Sequence, residues 1–127
     1  MKISDITKTI EENIANAEEQ SESSWYQCDY VVRFIFEKNS WRYVVKSEGS
    51  YSHDGQYTIK IQKQVEDKTI LSPIFGANLK WQTFIKLDHE TLTEEEIEQL
   101  KKIFKVEVKR REITSREENR KNLDIIA

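Results

Sequence analysis

Three patterns in the sequence predict an α+β fold. The expected build is an antiparallel sheet of four to five strands, with an N-terminal helix and one or two C-terminal helices packed on one face. The first pattern is an aromatic hairpin from Asp29 to Lys46. The second is a run of alternating apolar and polar residues from Tyr57 to Val65. The third is the order of the elements: strands follow one another, with helix-like stripes before and after them, which argues against alternating βαβ units.

At the N-terminus, Ile3, Ile6, Ile10, Ile14 and Ala17 recur at three- and four-residue steps, one stripe of an amphipathic helix. Ser4 or Asp5 is placed to cap its start. Gln20 to Ser24 is small and polar and reads as a linker that ends the helix.

In the hairpin, Tyr30–Phe36 and Trp41–Val45 are β-branched and aromatic, which suits a pleated surface. The connector Glu37-Lys38-Asn39-Ser40 reads as a turn. Its predicted register sets Phe36 opposite Trp41, Phe34 opposite Tyr43 and Val32 opposite Val45. Because side chains alternate along a strand, these residues share one face. The other face carries Val31, Arg33, Ile35, Arg42, Val44 and Lys46.

Ser47 to Gly55 reads as a loop. Tyr57, Ile59, Ile61 and Val65 then mark a strand with one wet face, and Lys63 breaks its apolar side once. Glu66-Asp67-Lys68 turns the chain. Thr69 to Asn78 contains Pro73 and Gly76, and reads as an edge segment or an ordered loop. In the strand from Lys80 to Leu87, Trp81, Thr83, Ile85 and Leu87 are expected on one side and Phe84 on the other.

Thr93-Glu94-Glu95-Glu96 is a capping box ahead of the stripe Ile97, Leu100 and Phe104. Beyond it, Val106 and Val108 alternate with charges, so Lys105–Lys109 is either a fifth strand or more helix. Ser115-Arg116-Glu117-Glu118 reads as a second capping box. It opens a short helix over 115–127 whose sparse apolar residues suit an oligomerisation tail.

The chain has 127 residues, enough for one α+β domain with one core. Its net charge of −3 gives no general pull toward nucleic acid, which is therefore disfavoured as a partner. The single cysteine, Cys28, permits no intrachain disulfide and suits a reducing, cytoplasmic setting. No apolar run is long enough to span a membrane, and no signal segment opens the chain. The abundance of Ile and Lys over Arg, Gly and Ala suits an AT-rich genome.

Residues that carry chemistry are few. His53-Asp54 and His89-Glu90 lack the spacing of a metal site, and zinc takes three or four ligands. Cys28 stands beside Asp29, whose charge raises a thiol pKa. There is no nucleophile elbow, phosphate loop or dinucleotide fingerprint. No catalytic residue, metal or cofactor is therefore expected, and the chain does not read as an enzyme.

Two features point to binding instead. Twelve of the thirteen aromatics lie between Trp25 and Phe84, more than one face accommodates. The basic run Lys109-Arg110-Arg111, followed by Arg116, offers guanidinium forks for anions.

The leading expectation is a non-catalytic binding protein that docks on a macromolecular protein partner, of the kind a phage or other mobile element encodes as an inhibitor. It is expected to act as a homo-oligomer. A second reading is sequestration of a small anionic ligand such as a nucleotide. Phe75 and Asn78 would then hold the base, and Arg110, Arg111 and Arg116 the phosphate. A third is single-stranded nucleic-acid binding through the mixed sheet face, using Arg33, Arg42, Lys46, Lys60 and Lys63.

Overall fold

A computed structural model of the chain describes residues 5–24, 29–50, 53–66 and 79–126. A short helix α1 (Ile6–Asn13) runs into one 3-10 turn (Ile14–Asn16). Five strands follow: β1 (Glu18–Ser24), β2 (Asp29–Lys38), β3 (Trp41–Ser50), β4 (His53–Glu66) and β5 (Leu79–Leu87). A long helix α2 (Glu94–Ile126) comes last. The fold is α+β, with one antiparallel sheet in the order β1-β2-β3-β4-β5. The chain divides into two compact units. Residues up to Ala15 join those from Glu94 onward, and Asn16–Thr93 make the sheet.

In the sheet unit, the β2–β3 turn has only two residues. Asn39 and Ser40 both have positive φ, 53° and 67°, the backbone of a type I′ turn that matches the twist of the flanking strands. Lys38 therefore pairs with Trp41, Phe36 with Tyr43 and Phe34 with Val45. This register differs by two residues from the one predicted, because Glu37 and Lys38 continue the strand instead of joining the turn. A two-residue shift preserves the faces. Phe34, Phe36, Tyr43, Val45, Tyr57, Ile59 and Ile61 all lie on the buried face, and Phe34, Val45 and Ile59 are wholly buried. Phe36 and Tyr43 stack with centroids 4.9 Å apart and planes 6° from parallel.

Three further expectations change. Gln20–Ser24, read as a linker, belongs to the edge strand β1, which pairs with β2 from Glu18↔Ile35 to Ser24↔Asp29. The expected Ser47–Gly55 loop is mostly strand, since β3 runs to Ser50 and β4 begins at His53. The β4–β5 ladder pairs Ile61 with Ile85 and then Gln62 with Thr83, so Phe84 is an extra residue, a β-bulge. The bulge moves Trp81 and Thr83 to the face away from Ile85 and Leu87, against the single-sided strand predicted.

In the helical unit, α2 is continuous over 33 residues, about 50 Å at 1.5 Å per residue. Residues 105–109 are therefore not a strand, and Ser115 starts no new helix. The reason lies in the buried positions, Glu96, Leu100, Phe104 and Glu107, which keep helical steps although two are charged. The helix begins just after Thr93, so Glu96 occupies the third helical position, as the capping box requires. Asp5 stands at the N-cap of α1 but makes no side-chain cap bond. Its φ of −90° and ψ of −11° are helical rather than the extended values an N-cap side chain uses.

The helices α1 and α2 run in the same direction. Thr7 Oγ1 donates to Gln99 Oε1 at 2.7 Å near their starts. Further along, Arg110 and Arg111 donate to the carbonyls of Ala15 and Ile14, each at 3.1 Å.

Candidate functional site: the open end of the sheet

Trp41 is the first residue after the two-residue turn, so the turn fixes its position. It points to the same face as Tyr43 and Val45, but lies where that face is only half-buried. Its neighbours across the strands are Lys38 on β2 and Lys63 on β4. The Lys63 ammonium lies 5.7 Å from the Trp41 ring centroid, within cation–π range. The bulge turns Phe84 onto the same side, edge-on to Trp41 at 5.5 Å and 88°. Phe84 is 56% exposed and Ile85 is 44% exposed. The register continues through Gln82 opposite Lys63 and Lys80 opposite Val65. None of the described register positions at this end of the face holds a carboxylate.

The opposite side of the same strands carries a second ring–cation pair. The Arg42 guanidinium lies 5.3 Å from the Trp81 centroid. Beside it, Gln62 Nε2 donates to Thr83 Oγ1 at 3.2 Å. Arg33 and Lys46 face each other in register on this side, as do Lys60 and Lys86. Like charges directly opposite destabilise a sheet. Partial relief comes from Glu48, 3.2 Å from Lys46, and Glu22, 4.0 Å from Arg33. Lys63, grouped with these cations by the sequence reading, belongs to the Trp41 side.

The basic run has a different setting. Glu107, whose side chain is 5% exposed, accepts from Arg110 Nε at 3.1 Å, Arg110 Nη2 at 2.5 Å and Arg111 Nε at 2.8 Å. Burial pushes the Glu107 carboxyl up, but hydrogen bonds and charge from both arginines outweigh it and hold the group below its ordinary value. The same bonds and charge raise Arg110. Both guanidiniums also cap carbonyls at the C-terminal end of α1, where the orphan C=O groups carry negative partial charge. Arg110 borders a 440 Å³ groove between α1 and α2, with Lys8, Glu11, Ile103 and Val106 also on its walls.

The expected anion site is not assembled from the residues predicted for it. Arg110 and Arg111 are tied to Glu107, while Arg116 lies further along α2, exposed. Phe75 and Asn78 lie outside the described residues, as does Cys28. Of the histidines, His89 lies in a turn closed by Asp88. The Asp88 carboxylate accepts from the backbone N–H of Glu90 at 3.0 Å, and Thr91 Oγ1 accepts from Asp88 N–H at 2.8 Å. The Glu90 bond leads the interactions that lower the Asp88 pKa. Burial raises that of the Tyr43 hydroxyl. Among the described residues, no three His, Cys, Asp or Glu groups converge as a metal site. None of the described helices is long and apolar enough to cross a membrane. Comparison with protein-family models, curated proteins and solved structures finds no match.

Sequence reasoning missed the pairing of Trp41 with Phe84 because it depends on a bulge 43 residues away. One trace was legible: Lys63 interrupts the apolar alternation of β4, where a buried strand would place another large side chain.

Proposed function

We propose that this is a non-catalytic binding protein. It docks on another macromolecule through the open end of its sheet, and the partner presents anionic groups there. The observation that carries the reading is Trp41 held in register between Lys38 and Lys63, with Phe84 edge-on beside it. Aromatic anchors bordered by cations are the material of binding hot spots. A buried core residue would not sit between two lysines.

The perturbed groups support the same reading. Asp88 and Glu107 are held ionised by fixed hydrogen bonds, which suits structural roles better than proton transfer. The single cysteine fits action in a reducing cytoplasm. An inhibitor would work in this way, by occupying an anionic surface that its target needs free.

The test is titration with heparin, a polyanion without aromatic rings, at low salt. Wild-type protein and Lys101→Gln, a surface change on α2, should bind alike. Lys38→Glu/Lys63→Glu should bind at least tenfold more weakly. Equal binding by all three proteins, or by none, would remove the proposal.

A further inference from the structure

Resting on that reading, we infer that the partner is a single-stranded nucleic acid, with one base stacked at Trp41 and phosphates held by Lys38 and Lys63. Three observations carry this. The first is the sequence of groups across the strands, cation–ring–cation, from Lys38 through Trp41 to Lys63. Neighbouring strands lie about 4.8 Å apart, so Lys38 and Lys63 start from backbone positions on either side of Trp41, and the Lys63 ammonium lies 5.7 Å from its ring. A polynucleotide offers the complementary order, phosphate–base–phosphate, along its own backbone.

The second observation separates nucleic acid from an acidic protein segment. The face of an aromatic ring carries negative charge density, so it repels a carboxylate but takes a flat π-system. Two rings meet here, Trp41 and Phe84, at 88°. For an acidic peptide the lysines would suffice and the rings would add little. For a base, the rings supply the stacking platform, and Phe84, more than half exposed, forms its wall.

The third observation is on the reverse of the same strands, where Arg42 stacks on Trp81. A guanidinium over an indole is a second surface of the type that flat bases share. A cation thus pairs with a ring on each side of these strands, Lys63 with Trp41 and Arg42 with Trp81. The overall charge of −3 does not oppose this: the nearest carboxylate in the register, Glu37, is paired opposite Arg42 on the reverse face, and screening confines interactions between exposed charges to about 10 Å at 0.1 M salt.

The experiment uses the whole chain and a (dT)12 oligonucleotide, with polyglutamate of similar length as the rival probe. Binding of (dT)12 should quench tryptophan fluorescence, and Trp41→Phe should lose most of the quench. Trp41→Ala should weaken binding tenfold or more, in line with one stacked base. Two phosphate contacts to a single strand predict a slope of about −1.4 in log K against log salt, falling toward zero in Lys38→Gln/Lys63→Gln. Lys63 is exposed, so Lys63→Gln alone tests the contact without the folding risk of the Trp41→Ala change. No (dT)12 binding, or binding unchanged in Lys63→Gln and Trp41→Phe, would overturn the inference. Binding of polyglutamate but not (dT)12, lost in Lys63→Gln, would also overturn it, yet leave docking on an anionic partner standing. Loss of heparin binding as well would remove both.

Discussion

Glu107 ties together two arginines of the helical unit, and removing it has a calculable cost. Glu107→Ala deletes three hydrogen bonds from two guanidiniums and leaves the arginines without their shared counter-ion. Charge-assisted hydrogen bonds contribute about 1.5–3 kcal/mol each when well shielded. Arg110 is about half exposed and regains water on losing its partner, so its bonds are counted at nothing. Arg111, 23% exposed, keeps most of the penalty. The expected loss is about 2 kcal/mol, which moves a urea midpoint by roughly 1 M for a slope near 2 kcal/mol/M. Amide exchange in α1 should accelerate, because the guanidiniums that cap Ile14 and Ala15 lose their anchor.

The acid limb follows from the direction of the shift. Glu107 titrates below its ordinary 4.5 in the folded chain. Its contribution is complete above that value and is lost as pH falls through the lower, folded one. Stability of the wild type should therefore fall more steeply than that of Glu107→Gln as pH drops below 4.5. Identical urea midpoints for wild type and Glu107→Ala at pH 7, or parallel pH profiles down to pH 3, would refute the assignment.

Other outcomes are equally open to measurement. Ser40→Gly should raise stability by roughly 0.5–1 kcal/mol, since glycine takes the φ of 67° without steric cost; a lower thermal midpoint would contradict the turn assignment. Phe34→Ala should lose about 3–5 kcal/mol, because the ring is wholly buried; a loss under 1 kcal/mol would displace Phe34 from the core. Gly49→Ala should destabilise, because the added methyl would stand 2.8 Å from the Tyr30 hydroxyl and 3.0 Å from Gly55 Cα; an unchanged urea midpoint would rule out this close packing. Truncation after Ser115 should leave the urea midpoint nearly unchanged, since every described residue beyond it is exposed; a large loss would show that the tail is structurally engaged.

What was legible in the sequence was the part written in apolar periodicity. Tyr57, Ile59 and Ile61 declare their face, as do Phe34, Phe36, Tyr43 and Val45, and the capping box at Thr93 declares the start of α2. Elements stabilised by other means were hidden. β1 is EEQSESS, an edge strand held by backbone pairing to β2, with no apolar residue to announce it. The hairpin register depended on Asn39 and Ser40 alone accepting positive φ, where glycine would have signalled the turn plainly. α2 past Phe104 was obscured because Glu107 fills a buried position, made tolerable by arginines one turn on. The candidate site was hidden most deeply, since one bulge decides that Phe84 reaches Trp41.

The helical unit is built from the two ends of the described chain, with the whole sheet inserted between them. The Arg110–Ala15 bond spans 95 positions, whereas each strand pairs with its neighbour in sequence. During synthesis the meander can zip up hairpin by hairpin while α1 waits, too short to hold itself as a helix. A ribosome must deliver Arg110 and Arg111 before the carbonyls of Ala15 and Ile14 meet their side-chain partners, so any pause between β5 and α2 leaves the end of that early segment uncapped.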